Sequence, residues 1–242
     1  MNALGVGLKE ELAAAWSELK MDRSVRAIVI TAAGDRAFCS GRDLKETVAS
    51  GEFGQEAALF SEALRLTPLS CGIWTPTIVA VNGVCAAAGL HFVADADVVI
   101  ASESAWFVDT HVSVGQVTAL EPISLAHRIG LGNTLRLAVL GRKGRLDATE
   151  ALRISLVDEV VGAERLQERA MELAQAAATG SPAAIEASKR AIRGSVELPL
   201  AEAMQRGWEI LLAHRDHPDA LEGPRAFVER RVADWRRIDI DQ

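Results

Sequence analysis

Two stretches of this chain share one layout. Phe38-Cys39-Ser40-Gly41-Arg42-Asp43-Leu44-Lys45-Glu46 and Val81-Asn82-Gly83-Val84-Cys85-Ala86-Ala87-Ala88-Gly89-Leu90-His91 each follow an apolar, β-like run and enter a helix through small residues. A strand that hands over to a helix in this way leaves backbone N–H groups without intrahelical partners at the turn. Two such turns can aim two donors at one point, and that is how a backbone holds an oxyanion.

The rest of the chain supplies an α/β frame for the pair. Leu8, Leu12, Trp16 and Leu19 fall at helical spacing, and residues 25–31 then read as a buried strand. Thr77-Ile78-Val79-Ala80-Val81 and Asp97-Val98-Val99-Ile100-Ala101 are two more β-branched runs. Their spacing predicts parallel strands joined by helical crossovers. Beyond about residue 110 helical patterns take over, with Asp147-Ala148-Thr149-Glu150 as an acidic helix start and residues 156–161 as a short apolar interruption. From Glu164 the chain is nearly all helix-forming, with breaks expected at Thr179-Gly180-Ser181-Pro182 and at Glu222-Gly223-Pro224.

Composition narrows the function classes. With 242 residues, 49% hydrophobic and 24% charged, the chain can bury a proper core without staples. A net charge of -7 argues against a nucleic-acid partner, which needs a basic face. No stretch approaches the apolar length of a membrane span, so no membrane partner is expected. Cys39, Cys71 and Cys85 are an odd count without metal-ligand spacing, and no charged-then-apolar leader precedes Leu4. They read as structural core thiols in a cytoplasmic protein with no metal site. No Gly-x-Ser-x-Gly order is present, and Gly141-Arg142-Lys143-Gly144-Arg145 lacks the Lys-Ser/Thr ending of a phosphate loop and reads as a surface turn.

Taken in this order, and followed by Ile100-Ala101-Ser102-Glu103-Ser104-Ala105-Trp106-Phe107, the two turns resemble the crotonase (enoyl-CoA hydratase/isomerase) superfamily over nearly the whole chain. The resemblance implies a spiral ββα core over residues 1–180 and a C-terminal helical oligomerisation region over 181–242. It further implies a homotrimer or a dimer of trimers. The substrate would be an acyl-CoA thioester, with coenzyme A arriving as part of it and no permanently bound cofactor. The oxyanion donors would be the backbone N–H groups of Arg42 and Ala88.

Arg42 and Lys45 carry long cationic stems that can reach CoA phosphates, although a solvated helix face suits Lys45 equally well. Leu44 joins them as an expected CoA contact. In the tail, Phe227 and Arg230 match an aromatic and a basic residue that cover CoA across a subunit contact in this family. A plain amphipathic helix would look much the same.

Departures from the family pattern matter most for the reaction. Relatives usually carry a short β-hairpin before the Asn-Ala-Leu that here is Asn2-Ala3-Leu4, so either the start lies upstream or a sheet edge is shortened and needs cover. Hydratases of the family hold and activate water with two glutamates, and His91 and His111 stand at the matching positions. Imidazoles exchange protons near neutrality, and two of them can divide acid and base roles with at most one charged. Glu121 is a further acid/base candidate. With Pro122 read as the first helical residue, it serves equally as a helix cap. Asp109 is a weaker candidate, and Asp95 and Asp97 read as turn anchors. Tyrosine is absent, which excludes a phenolic acid. The reading is enoyl-CoA hydration or dehydration, with double-bond isomerisation or other enolate chemistry second. A non-catalytic acyl-CoA-binding oligomer is the rival from another class.

Overall fold

A computed structural model describes residues 1–51 and 65–235. The chain divides into two compact units. The first spans 1–22, 29–73 and 77–173, and the second 23–28, 74–76 and 174–242.

The first unit repeats one motif, two short strands followed by a helix. After helix α1 (Val6–Met21) come β1 (Ile28–Ile30), β2 (Ala37–Cys39) and α2 (Leu44–Ser50). Next are β3 (Thr77–Val81), β4 (Val84–Ala86), a 3₁₀ turn at Ala87–Gly89 and α3 (Leu90–Asp95). The third repeat is β5 (Val98–Ser102), β6 (Trp106–Val108), a 3₁₀ turn at His111–Val114 and α4 (Leu120–Leu140). Then follow β7 (Leu146–Asp147), α5 (Ala148–Arg153), β8 (Glu159–Val161) and α6 (Leu166–Ala178).

Consecutive strands enter different sheets, in the orders β1-β3-β5-β8 and β2-β4-β6-β7. Each repeat therefore adds one strand to each sheet, and the chain winds as the expected spiral. The pairs β3–β5, β5–β8, β2–β4 and β4–β6 are parallel, and the pair β6–β7 runs antiparallel. The continuous apolar runs fit this, because a parallel strand covered on both faces needs no alternation. Val79, Ala80 and Val81 on β3 and Val99, Ile100 and Ala101 on β5 have no solvent exposure.

The sequence misjudged some boundaries. Of the run 25–31 only Ile28–Ile30 is strand, since Arg26 turns its guanidinium to Gly180 O at 2.7 Å and Ile28 N donates to Pro76 O. The three-residue strands β2, β4 and β6 lie in or beside the motif segments and carry too few residues to show a period. Asp97, expected to anchor a turn, instead accepts from Thr77 N at 2.8 Å and ties the start of β5 to that of β3.

In the second unit lie α7 (Pro182–Gly194), α8 (Leu200–His214) and α9 (Asp219–Glu229). Ser181 caps α7 and Pro182 occupies its first turn, as the break at 179–182 predicts. The break expected at Glu222-Gly223-Pro224 does not occur, and α9 runs through it. Pro224 forfeits one backbone bond to Ala220, while Glu222 is held from outside the helix by Arg231 and by Asp234 N. No helix among the described residues is long and apolar enough to cross a membrane.

Candidate active site

The two motif turns meet in space. Leu4 forms an isolated parallel bridge with Arg42, using Gly41 O and Asp43 N, so the peptide groups of Arg42 itself point away from Leu4. Asp43 caps α2 through Lys45 N and Glu46 N, and Glu46 in turn accepts from Val6 N at 3.0 Å. Both acidic residues of the first motif thus position backbone. Gly41 lies at φ +87°, and a Cβ built there would sit 3.0 Å from Ala87 Cβ, 3.2 Å from Ala86 O and 3.7 Å from Ala88 N. Only glycine lets the first turn approach the second this closely.

The second turn is built differently. β4 ends at Ala86, Ala87 takes the left-handed conformation at φ +48°, and no side chain caps the 3₁₀ turn that follows. Ala88 is the second residue of that turn, so its N–H has no intrahelical acceptor. A Cβ at Gly89 would fall 2.9 Å from Cys39 Cβ and 3.0 Å from Cys39 O, which fixes glycine where the turn packs on β2. Cys39 and Cys85 are register partners on β2 and β4, both buried and free, and burial pushes both thiols up. A raised thiol is a poor nucleophile, in line with the structural reading of both.

Three more site residues converge from three elements. His91 is the second residue of α3, one helical turn past Ala88, His111 opens the 3₁₀ turn after β6, and Glu121 is in the first turn of α4. Glu121 Oε1 lies 3.3 Å from His91 Nε2 and 3.8 Å from His111 Nε2. Its carboxylate is buried, at 6% residue exposure, and so is His91 at 7%. The capping role does not hold. α4 begins at Leu120, Pro122 is its third residue and not its first, and the Ala119 cap position makes no side-chain bond. Glu121 instead turns its side chain to the two imidazoles.

Asp109 is wholly buried and belongs to the cluster. Its Oδ1 accepts from His111 N at 3.0 Å and pairs with His111 Nδ1 at 2.8 Å, while Thr118 Oγ1 donates to its Oδ2. Burial pushes the Asp109 carboxyl up, but these hydrogen bonds outweigh it and hold the group below the usual carboxylate range. His111 is raised, first by its bond to Asp109 and then, against burial, by the charges of Glu121 and Asp109. Sequence reasoning named Asp109 only as a weaker acid/base candidate and passed over Thr118; the structure places both behind His111. The available signal was the Asp-x-His spacing, since an aspartate readily accepts from the N–H two residues on.

The residues expected to contact CoA lie in both units. Leu44 and Lys45 are exposed on α2, with Leu44 at 42%. In the second unit Phe227 is 85% exposed and Arg230 ends α9 in the left-handed conformation. Among the described residues no group of three or more His, Cys, Asp or Glu is arranged to hold a metal ion. Chemically, the site places one carboxylate against two imidazoles, on elements that follow the second turn and β6. That set can move protons.

Comparison with known proteins agrees with this fold. Residues 1–237 match the family described as Enoyl-CoA hydratase/isomerase. The chain is 30% identical to (E)-benzylidenesuccinyl-CoA hydratase of Thauera aromatica, covering 98% of this chain and 91% of that protein. It is 32% identical to carnitinyl-CoA dehydratase of Proteus mirabilis, covering 97% and 90%. Among solved structures, an enoyl-CoA hydratase/isomerase from Mycobacterium paratuberculosis superposes with a TM-score of 0.88 at 36% identity, covering 97% of this chain and 90% of the other.

Proposed function

The chain belongs to the enoyl-CoA hydratase/isomerase family, and on that premise we propose that it adds water to, or removes it from, the Cα–Cβ bond of an acyl-CoA thioester. The observation that carries this reading is the convergence of His91, His111 and Glu121 one helical turn past the Ala88 donor. The relatives' names, one a hydratase and one a dehydratase of CoA thioesters, support it.

In the hydration direction the thioester carbonyl lies between the N–H groups of Arg42 and Ala88. Glu121, with His91 beside it, takes a proton from water as the water oxygen bonds to Cβ. The π electrons of the Cα–Cβ bond move through Cα to the carbonyl, and the two N–H groups stabilise the resulting enolate oxygen. His111, as imidazolium, gives its proton to Cα and the carbonyl re-forms. The proton held by Glu121 then passes to His111 across their contact, which resets the site. Dehydration reverses every step. Double-bond isomerisation is the second reading, favoured by a single carboxylate oxygen that faces both imidazoles and so suits a one-base proton shuttle.

Coenzyme A enters as part of the substrate, with Arg42 and Lys45 as cations for its phosphates and Leu44 beside them. α8 leaves Leu200, Met204, Trp208 and Leu211 exposed at helical spacing, which supports assembly as a homotrimer or a dimer of trimers. Phe227 and Arg230 would then cover CoA held by a neighbouring subunit. Three free cysteines support a cytoplasmic setting.

The test is a panel of 2-enoyl- and 3-hydroxyacyl-CoA thioesters, followed by enoyl absorbance with product analysis. Interconversion of an enoyl and a hydroxyacyl thioester is the expected result. A shifted double bond without hydration selects the isomerase. Binding of every thioester with turnover of none leaves the acyl-CoA-binding oligomer and removes the enzyme reading.

A further inference from the structure

Nothing in the reaction scheme so far uses the buried carboxylate behind His111. We propose that Asp109 and Thr118 form a positioning pair, in which the Thr118 hydroxyl fixes the Asp109 carboxylate and Asp109 holds His111 with Nδ1–H on itself and Nε2 turned toward Glu121. The inference rests on the proposed acid role of His111 and adds two residues to it, neither of which touches the substrate.

Geometry carries the argument. A carboxylate with no solvent exposure is costly unless its lone pairs are occupied. Here the occupants are His111 N, His111 Nδ1 and Thr118 Oγ1. Because Oδ1 receives both the backbone N–H and the ring Nδ1 of His111, the carboxylate sets the position of that residue's main chain and side chain together. Oδ2 is tied by Thr118, nine residues on and just before α4, the helix that supplies Glu121. One hydrogen-bond chain therefore links the segment bearing the acid to the helix bearing the carboxylate opposite it. Nδ1–H on Asp109 leaves Nε2 as the working nitrogen, 3.8 Å from Glu121 Oε1.

Among the described residues the charged groups around His111 are few. Asp109 lies behind it and Glu121 before it, with His91 reached through Glu121. Arg142 and Lys143 sit on the turn that packs against Ser113, and both are exposed. Two carboxylates thus face His111 at short range, in agreement with its raised pKa. An imidazolium acid stays protonated to higher pH when Asp109 is present, so the alkaline limb of kcat lies higher in the wild type than in a variant without that charge.

Asp109→Asn, Thr118→Val and Thr118→Ser test the pair by two readouts. Side-chain NMR titration of His111 needs no substrate. The expected result is a lower His111 pKa in Asp109→Asn than in wild type, and a smaller displacement in Thr118→Val that Thr118→Ser abolishes. Kinetically, Asp109→Asn should lower kcat about 100-fold with little change in KM, and move the alkaline limb to lower pH. Thr118→Val should lose several-fold, with Thr118→Ser near wild type. A His111 titration in Asp109→Asn that coincides with wild type overturns the inference whatever the activity, and so does a loss of kcat with an unmoved pH limb. If Asp109→Asn does not fold, Thr118→Val with wild-type titration and kinetics overturns it instead. A wild-type protein inactive on every thioester, yet showing the expected titrations, would sink the hydratase reading and leave the pairing intact.

Discussion

The proposed oxyanion turns and the proposed acid–base cluster adjoin each other but are made of different material. The turns present backbone N–H groups, so their chemistry depends on φ angles and on how closely two chain segments approach. The cluster presents side chains, so its chemistry depends on which residues stand at 91, 109, 111 and 121. A backbone hole survives replacement of nearly any side chain that leaves the turn intact, and it serves every reaction passing through a thioester enolate. The side chains select among those reactions. This explains how imidazoles can stand beside these turns at the positions where the family resemblance implies water-activating glutamates.

The sharpest way to break that division of labour is Glu121→Gln. The amide keeps the shape and the burial but cannot take a proton. The expected loss in kcat is about 100- to 10,000-fold, with affinity for an unreactive CoA thioester unchanged because the hole is untouched. Near-wild-type turnover in this variant would transfer the base role to His91 alone. A large loss of binding would mean that Glu121 shapes the pocket and does not act on the proton.

Gly41→Ala attacks the other partner of the comparison without altering any acid or base. The new methyl would stand 3.0 Å from Ala87 Cβ and 3.2 Å from Ala86 O, at a φ of +87° that L residues rarely adopt. The two turns must separate, and a misplaced donor in an oxyanion hole costs on the order of 100-fold in rate. Unlike Glu121→Gln, this change should weaken thioester binding and turnover together while leaving the pH profile in place. Full activity in Gly41→Ala would mean that the two turns do not cooperate on one oxygen.

How far the sequence carried each region follows from the same contrast. The turns were legible because small residues after apolar runs force a local conformation that needs no distant partner. The positions of His91 and His111 were legible by matching the family's spacing. Glu121 was named as an acid/base candidate but was not separable from a helix cap, because Pro122 read as the first helical residue, whereas α4 begins earlier, at Leu120. Thr118 was invisible because its partner lies across a loop, and nothing local marks a hydroxyl that will meet a buried carboxylate. In the fold, β3 and β5 were evident from five-residue apolar runs. The three-residue strands β2, β4 and β6 draw their stability from neighbours in the sheet, and no local pattern of that length can announce them.

The mildest test sets one turn against the other. Gly41 and Ala87 both have positive φ, yet only the first is glycine. At φ +48°, Ala87 pays for its methyl with roughly 1–2 kcal/mol of left-handed strain. Ala87→Gly relieves that strain, but it also frees the unfolded chain by about 0.4–1 kcal/mol and removes a buried methyl that fills the space beside Gly41. These terms nearly cancel, so Tm should stay within about 4 °C of wild type, and kcat/KM should change by less than about threefold because the Ala88 N–H keeps its place. A loss comparable to that of Gly41→Ala would show that the Ala87 methyl itself spaces the two turns, making one side chain an integral part of a hole otherwise built from backbone.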